Sequence, residues 1–276
     1  MKLCVVGFGL IGGSIAAASR ARRPGARVVA VDASAVLASA SVRALSDERV
    51  DASDGPAVER ALAAADLAVL AAPVSAIEAE LGRALAHARL VTDCGSTKRA
   101  IVASAESSVR RGRFVPGHPL AGGPSGGADA ARADLFEGQR WILCPEAADA
   151  DAFARVEAFV RALGATPVTM SAAEHDRAVA LTSHVPQLLA SALVVLSERR
   201  RAGAAEGPGF AGATRVAGGN PAVWRDILVT NADEIASALA ELGAELSRVA
   251  GDLSRADPNA ALALIESARA AQRSRG

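Results

Sequence analysis

A chain of 276 residues has room for one large hydrophobic core or two modest ones, and two domains is the reading adopted here. Hydrophobic residues make up 51% of it but aromatic ones only 3%, with no tyrosine, so the interior must be built from Ala, Val, Leu and Ile. Thirty basic and thirty acidic residues cancel, which removes the net field expected of a nucleic-acid or anionic-membrane binder.

The chain enters a strand-like run at once, "KLCVVGFG", with no charged leader and cleavage site ahead of it, so a cytoplasmic protein is expected. The run ends in Gly7-x-Gly9-x-x-Gly12 and continues into "GLIGGSIAAASRAR", which has helix-forming composition. Strand, tight turn and helix are the context in which this glycine pattern binds a dinucleotide, with the pyrophosphate on the helix N-terminus. Gly7, Gly9, Leu10, Ile11 and Gly12 are therefore candidate cofactor residues. A second strand, "ARVVAVD", ends at Asp32, twenty residues past Gly12. A carboxylate there accepts hydrogen bonds from ribose hydroxyls and repels a 2′-phosphate, which favours NAD over NADP.

The alternation continues. "ADLAVLAAP" is a buried strand, "VSAIEAELGRALAHA" a helix, and "RLVTDCGSTK" a strand and turn. "GRFVPGHPLAGG", "GQRWILCP" and "TPVTM" supply further strands, with the helix "DADAFARVEAFVRALGA" between the last two. This rhythm predicts an α/β fold, a Rossmann-type doubly wound parallel sheet over residues 1–169. Ligands on such sheets sit beyond the carboxyl ends of the strands. The loops at Gly7 to Gly12, Ala72-Pro73, Asp93 to Lys98 and Gly117 to Gly123 should converge on one crevice, with Ala72 and Pro73 walling the cofactor.

From Ser171 the strand signals stop, and residues 170–276 are expected to form an all-helical dimerisation domain. "SAAEHDRAVALTSHVPQLLASALVVLSERRR" starts with a capping-box pattern, Ser171-x-x-Glu174, and should break at Pro186. "AGAAEGPGFAGATRVAGGNP" reads as a Gly-rich loop, and Asn220-Pro221 as the start of another helix. The final helix frays into charge, and no regulatory domain is expected after it. Helices this apolar need a partner subunit to cover them, and a homodimer is expected. No uninterrupted apolar stretch is expected to span a membrane. Cys4, Cys94 and Cys144 read as buried free thiols, and no ligand cluster calls for a metal.

Dehydrogenation beside a nicotinamide needs a proton acceptor, and histidine suits neutral pH. His87 lies in a helical stretch without polar company. His175, in "EHD", reads as a first-turn residue with a structural hydrogen bond, a site role staying open. His184 sits at the proline break and is open either way. His118, in "GHPLAGG", lies on a loop at the carboxyl edge of the sheet and is the strongest candidate. Ser96, in "DCGSTK", either holds that histidine or the substrate hydroxyl, or is a simple turn serine. Arg215 is either a surface residue or a bidentate carboxylate clamp, and Trp224 either core or pocket wall.

Taken in this order, "GFGLIGGS", "DCGSTK", "GHPLAGG", "EHDRAVALTSHVPQ" and "ATRVAGGNPAVWRDI" resemble the prephenate/arogenate dehydrogenases of tyrosine biosynthesis along essentially the whole chain. The resemblance implies a Rossmann domain joined to a helical dimer domain. It makes His118 the catalytic base and Ser96 its hydrogen-bond partner. It makes Arg215 the substrate-carboxylate arginine, with Trp224 near the pocket and His184 and Gln187 lining it. Gln187 departs from the family's S-H-L-P-H pattern, where the last position is histidine. The implied substrate is a cyclohexadiene bearing a hydroxyl opposite a ring carboxylate. Loss of hydride gives a ketone conjugated to the carboxylate-bearing carbon, and carbon dioxide then leaves as the ring becomes aromatic. Prephenate is the expected substrate, with arogenate or dual specificity as the alternative. A related β-hydroxyacid dehydrogenase or imine reductase is a minor rival. A catalytically silent NAD-sensing module would not need His118, Ser96 and Arg215 together.

Overall fold

A computed structural model of the chain describes residues 1–123, 125–146 and 148–274. Its first half lays down six parallel strands: β1 (Lys2–Val6), β2 (Arg27–Asp32), β3 (Glu48–Asp51), β4 (Leu67–Leu70), β5 (Val91–Asp93) and β6 (Phe114–Val115). Their spatial order is β3-β2-β1-β4-β5-β6. Because strand side chains alternate, β1 feeds two cores at once. Leu3 and Val5 enter one core with Ile15 and Phe136, while Cys4 and Val6 enter the other with Ile77 and Leu81. Burial on both faces explains the nearly unbroken β-branched runs. The strand order reverses between β1 and β4, which opens a crevice at their carboxyl ends.

The expectation that every strand would join this sheet is corrected. Strands β7 (Gly117–Pro119), β8 (Arg140–Leu143) and β9 (Thr166–Thr169) form a second sheet, ordered β7-β8-β9, with β7 antiparallel to β8. The divergence occurs at Pro116, which cannot donate to a ladder and whose carbonyl accepts from the Cys144 amide at 2.9 Å. Gly117 then packs so close to β5 that a Cβ on it would lie 2.9 Å from the Asp93 carbonyl oxygen. β3 was not foreseen either: only Val50 of its four residues is buried, too weak a pattern to read.

The second half is helical. The capping box forms as the sequence predicts, Ser171 and Glu174 each bonding the other's backbone at the start of helix Ala172–Val179. Pro186 does not break the run. A π-helical turn, Ala180–His184, precedes helix Val185–Arg200, so the proline's missing N–H falls where the hydrogen-bond pattern changes. The continuous stretch Ala172–Arg200 is, among the described residues, one helix long and apolar enough to cross a membrane by length and composition, contrary to the sequence expectation. It nonetheless buries His175, Asp176 and His184 against neighbouring elements. The Gly-rich loop is also partly helical, over Pro208–Thr214, where Pro208 in the first turn presets the helical φ. Leu193, Val195, Leu196, Leu246, Leu253 and Ile265 on three of these helices remain exposed.

Candidate active site

The glycine turn has the shape that a bound pyrophosphate needs. Gly7 adopts φ +89°, and a Cβ on it would lie 2.6 Å from the Ala71 carbonyl oxygen. A Cβ on Gly12 would strike the Gly7 carbonyl, whereas nothing stands within 4 Å of Gly9, which leaves that face open to a ligand. Helix Leu10–Arg22 begins at Gly9 with no side-chain cap, so the first-turn amides of Leu10, Ile11 and Gly12 are available to an anion. The side chains of Leu10 and Ile11 pack beneath, against the core.

Asp32 closes β2 beside this turn and accepts from the amides of Phe8 (2.6 Å) and Ala33 (2.7 Å). Each carboxylate oxygen keeps a second lone pair for a ribose hydroxyl. Gly7, Gly9, Asp32, Ala72 and Pro73 line one cleft of about 440 Å³. These residues fit a dinucleotide.

At the carboxyl end of β5 lies a buried ion pair. Lys98 Nζ contacts Asp93 and donates to the Gly117 carbonyl at 2.8 Å, while Asp93 accepts from the Gly117 amide at 3.0 Å and the Gly95 amide at 2.8 Å. Both side chains are fully buried. Gly117 is thus held from both its amide and its carbonyl, and His118 follows it on β7.

His118 is half-buried and does not stand alone. Its Nδ1 lies 2.8 Å from His175 Nε2, and His175 Nδ1 lies 2.7 Å from Asp176 Oδ1. Asp176 also accepts from the amides of Lys98 (2.7 Å) and Arg99 (2.9 Å) and from Arg99 Nε (3.3 Å). Burial pushes Asp176 up, but the bonds from His175, Arg99 and Lys98 outweigh it and hold the carboxyl below its usual range. Burial, reinforced by His175, Lys98 and His184, drives His118 well below the usual histidine value. His175 is lowered too, again mainly by burial and against the pull of Asp176. All three groups therefore hold their buried forms at neutral pH: two neutral imidazoles and one carboxylate.

A second polar cluster adjoins the first. Asn231 donates to the Asp176 carbonyl at 2.8 Å, contacts His184 Nδ1 at 3.4 Å, and accepts from Arg99 at 3.0 Å. His184 is buried, lowered to about 4 by that burial, and stands edge-on to the Trp224 ring at 5.8 Å. Gln187 is buried beside them; a Cβ on Gly219 would lie 3.0 Å from its Oε1 and strike Trp224. The structure thus brings His184, Gln187 and Trp224 together, as the sequence reading grouped them.

One expected contact is absent. Ser96 makes no hydrogen bond to His118 among the described residues; His175 occupies the Nδ1 position instead. Arg215 is exposed at the C-cap of helix Pro208–Thr214. Sequence reasoning left a site role for His175 open and missed Asp176, Lys98, Asp93 and Asn231 as members of the site. The available signal was the adjacent His175-Asp176 pair directly behind a capping box.

Comparison with known proteins points one way. The family model described as the nucleotide-binding domain of prephenate dehydrogenase matches residues 15–169, and that described as its dimerization domain matches residues 171–266. The prephenate dehydrogenase of Bacillus subtilis is 34% identical over 90% of this chain and 68% of its own length. The cyclohexadienyl dehydrogenase of Zymomonas mobilis is 32% identical over 90% of this chain and 86% of its own. The solved structure of prephenate dehydrogenase from A. aeolicus, in complex with hydroxyphenyl propionate and NAD+, superposes with a TM-score of 0.83 at 25% identity. That superposition covers 100% of this chain and 97% of the other.

Proposed function

The chain belongs to the prephenate dehydrogenase family, and from that premise we propose that it oxidatively decarboxylates prephenate to 4-hydroxyphenylpyruvate in tyrosine biosynthesis, with His118 as the base. The observation that carries the reading is a histidine directly after Gly117, whose amide and carbonyl Asp93 and Lys98 hold from both sides at the carboxyl end of β5. NAD, when bound, accepts the hydride. The first-turn amides of Leu10, Ile11 and Gly12 would hold its pyrophosphate and Asp32 its ribose hydroxyls, with Ala72 and Pro73 walling the cleft.

His118 takes the proton of the substrate hydroxyl. His184, Gln187 and Trp224 line the substrate side, and Arg215 clamps a substrate carboxylate. Ser96, on the loop between Asp93 and Lys98, serves the substrate hydroxyl rather than the histidine. The preference for prephenate over arogenate rests on where the acids are. An ammonium needs a carboxylate beside it, but Asp129 accepts from Ser41 at 2.6 Å and Asp134 pairs with Arg132 at 3.2 Å.

The dinucleotide half spans residues 1–169 and the helical half residues 170–276. The exposed leucines and isoleucine of the helical half form the contact with a second copy, giving a homodimer. Two buried thiols and one half-buried thiol suit a reducing cytoplasm. Initial rates of NADH formation with prephenate, with arogenate and with neither test the reading. Turnover on prephenate supports it, and silence on both substrates refutes it.

A further inference from the structure

We propose that His175 and Asp176 are positioning residues that lock His118 in the tautomer carrying its proton on Nδ1, so that Nε2 offers its lone pair to the substrate hydroxyl. The proposal rests on the reading of His118 as the base. It follows from donor and acceptor roles taken one atom at a time.

Asp176 is held as a carboxylate by the amides of Lys98 and Arg99, so it can only accept. His175 Nδ1, at 2.7 Å from Asp176 Oδ1, must therefore donate. A neutral imidazole has a single N–H, which leaves His175 Nε2 an acceptor. The atom facing it, 2.8 Å away, is His118 Nδ1, and that atom must be the donor. Nε2 of His118 is then the basic nitrogen. A doubly protonated His175 would break the chain of roles, and its burial opposes that charge. In water a neutral histidine side chain favours the proton on Nε2, the tautomer that cannot act as the base here. The pair therefore selects the minority form.

Two consequences follow. When His118 accepts the substrate proton on Nε2, its Nδ1–H stays bonded to His175, and the buried Asp176 carboxylate offsets the new charge. The lock also spans both halves of the chain. His118, Lys98 and Arg99 belong to the first half and His175 and Asp176 to the second, so the base is set only where the two halves dock.

The test is 15N NMR of histidine-labelled protein near neutral pH, with the His118 signals assigned by their loss in His118→Asn. Wild type should show His118 protonated on Nδ1. His175→Ala should show it protonated on Nε2, with kcat lowered by ~10²–10⁴-fold and KM for prephenate little changed. His175→Gln, whose amide oxygen can accept the same proton, should recover part of both. Unchanged NAD binding certifies that each variant is folded. A wild-type His118 protonated on Nε2 overturns the proposal, and so does a folded His175→Ala with the wild-type tautomer and full kcat. If His175→Ala does not fold, the wild-type tautomer alone decides. Normal turnover by His118→Asn would instead remove the base assignment while leaving the tautomer signature standing.

Discussion

His118 and His175 meet at 2.8 Å, nitrogen to nitrogen, across 57 residues of sequence. One sits on a three-residue strand of the small sheet, the other in the first turns of the helical half. The proposed base is thus completed by a residue of the helical half.

His118→Asn should leave prephenate binding nearly intact and lower kcat by ~10²–10⁴-fold, the usual contribution of a positioned base. Steady-state kinetics with saturating NAD check this. A kcat within a few-fold of wild type would move the base elsewhere.

The pH profile should be shifted to acid. A base must be neutral to work, and burial holds His118 well below the ordinary histidine value of 6.5. The kcat/KM plateau should therefore persist through pH 6.5 and fall only at lower pH. An acid limb centred near 6.5 would contradict this.

Stability should decline over the same range. His118, His175 and His184 all protonate less readily folded than unfolded, so between 6.5 and about 4 the unfolded chain binds more protons. Stability therefore rises with pH across this window, and acid removes it. Melting temperature should drop steadily below pH 6.5, and His184→Gln should flatten the slope.

Cofactor choice should turn on Asp32. The wild type should prefer NAD, because the carboxylate repels a 2′-phosphate. Asp32→Ala should weaken NAD use and narrow the gap in kcat/KM between the two cofactors. Equal use of both cofactors by the wild type would contradict the role.

Arg215→Ala should act mainly on KM. Loss of a charge-assisted carboxylate contact, worth ~1.5–3 kcal/mol, should raise KM by about one to two orders of magnitude with a smaller effect on kcat. An unchanged KM would return Arg215 to the surface residue that its exposure describes.

The local elements were legible where local chemistry decides them. Gly7 and Gly12 announced close backbone approach, Asp32 the end of a strand, and Ser171 with Glu174 a helix start. Which sheet a strand joins was not legible, because a continuous apolar run such as "WILC" suits either. Pro116 marks the divergence, within a stretch whose sequence does not say which sheet it enters. The helix through Pro186 was misread because a π turn leaves no compositional trace. At the site, His118 stood out although its expected loop is a strand, and its partner depended on a contact between remote segments. Ser96 was the nearer candidate along the chain, and His175 is the one that bonds His118.

The most direct measurement follows NADH, carbon dioxide and 4-hydroxyphenylpyruvate together when wild type and His118→Asn are each given prephenate and NAD. Equal amounts of all three products from wild type, and a rate ~10²–10⁴-fold lower from the variant, are the predicted result. Failure of wild type to form NADH, or a variant as fast as wild type, would contradict it.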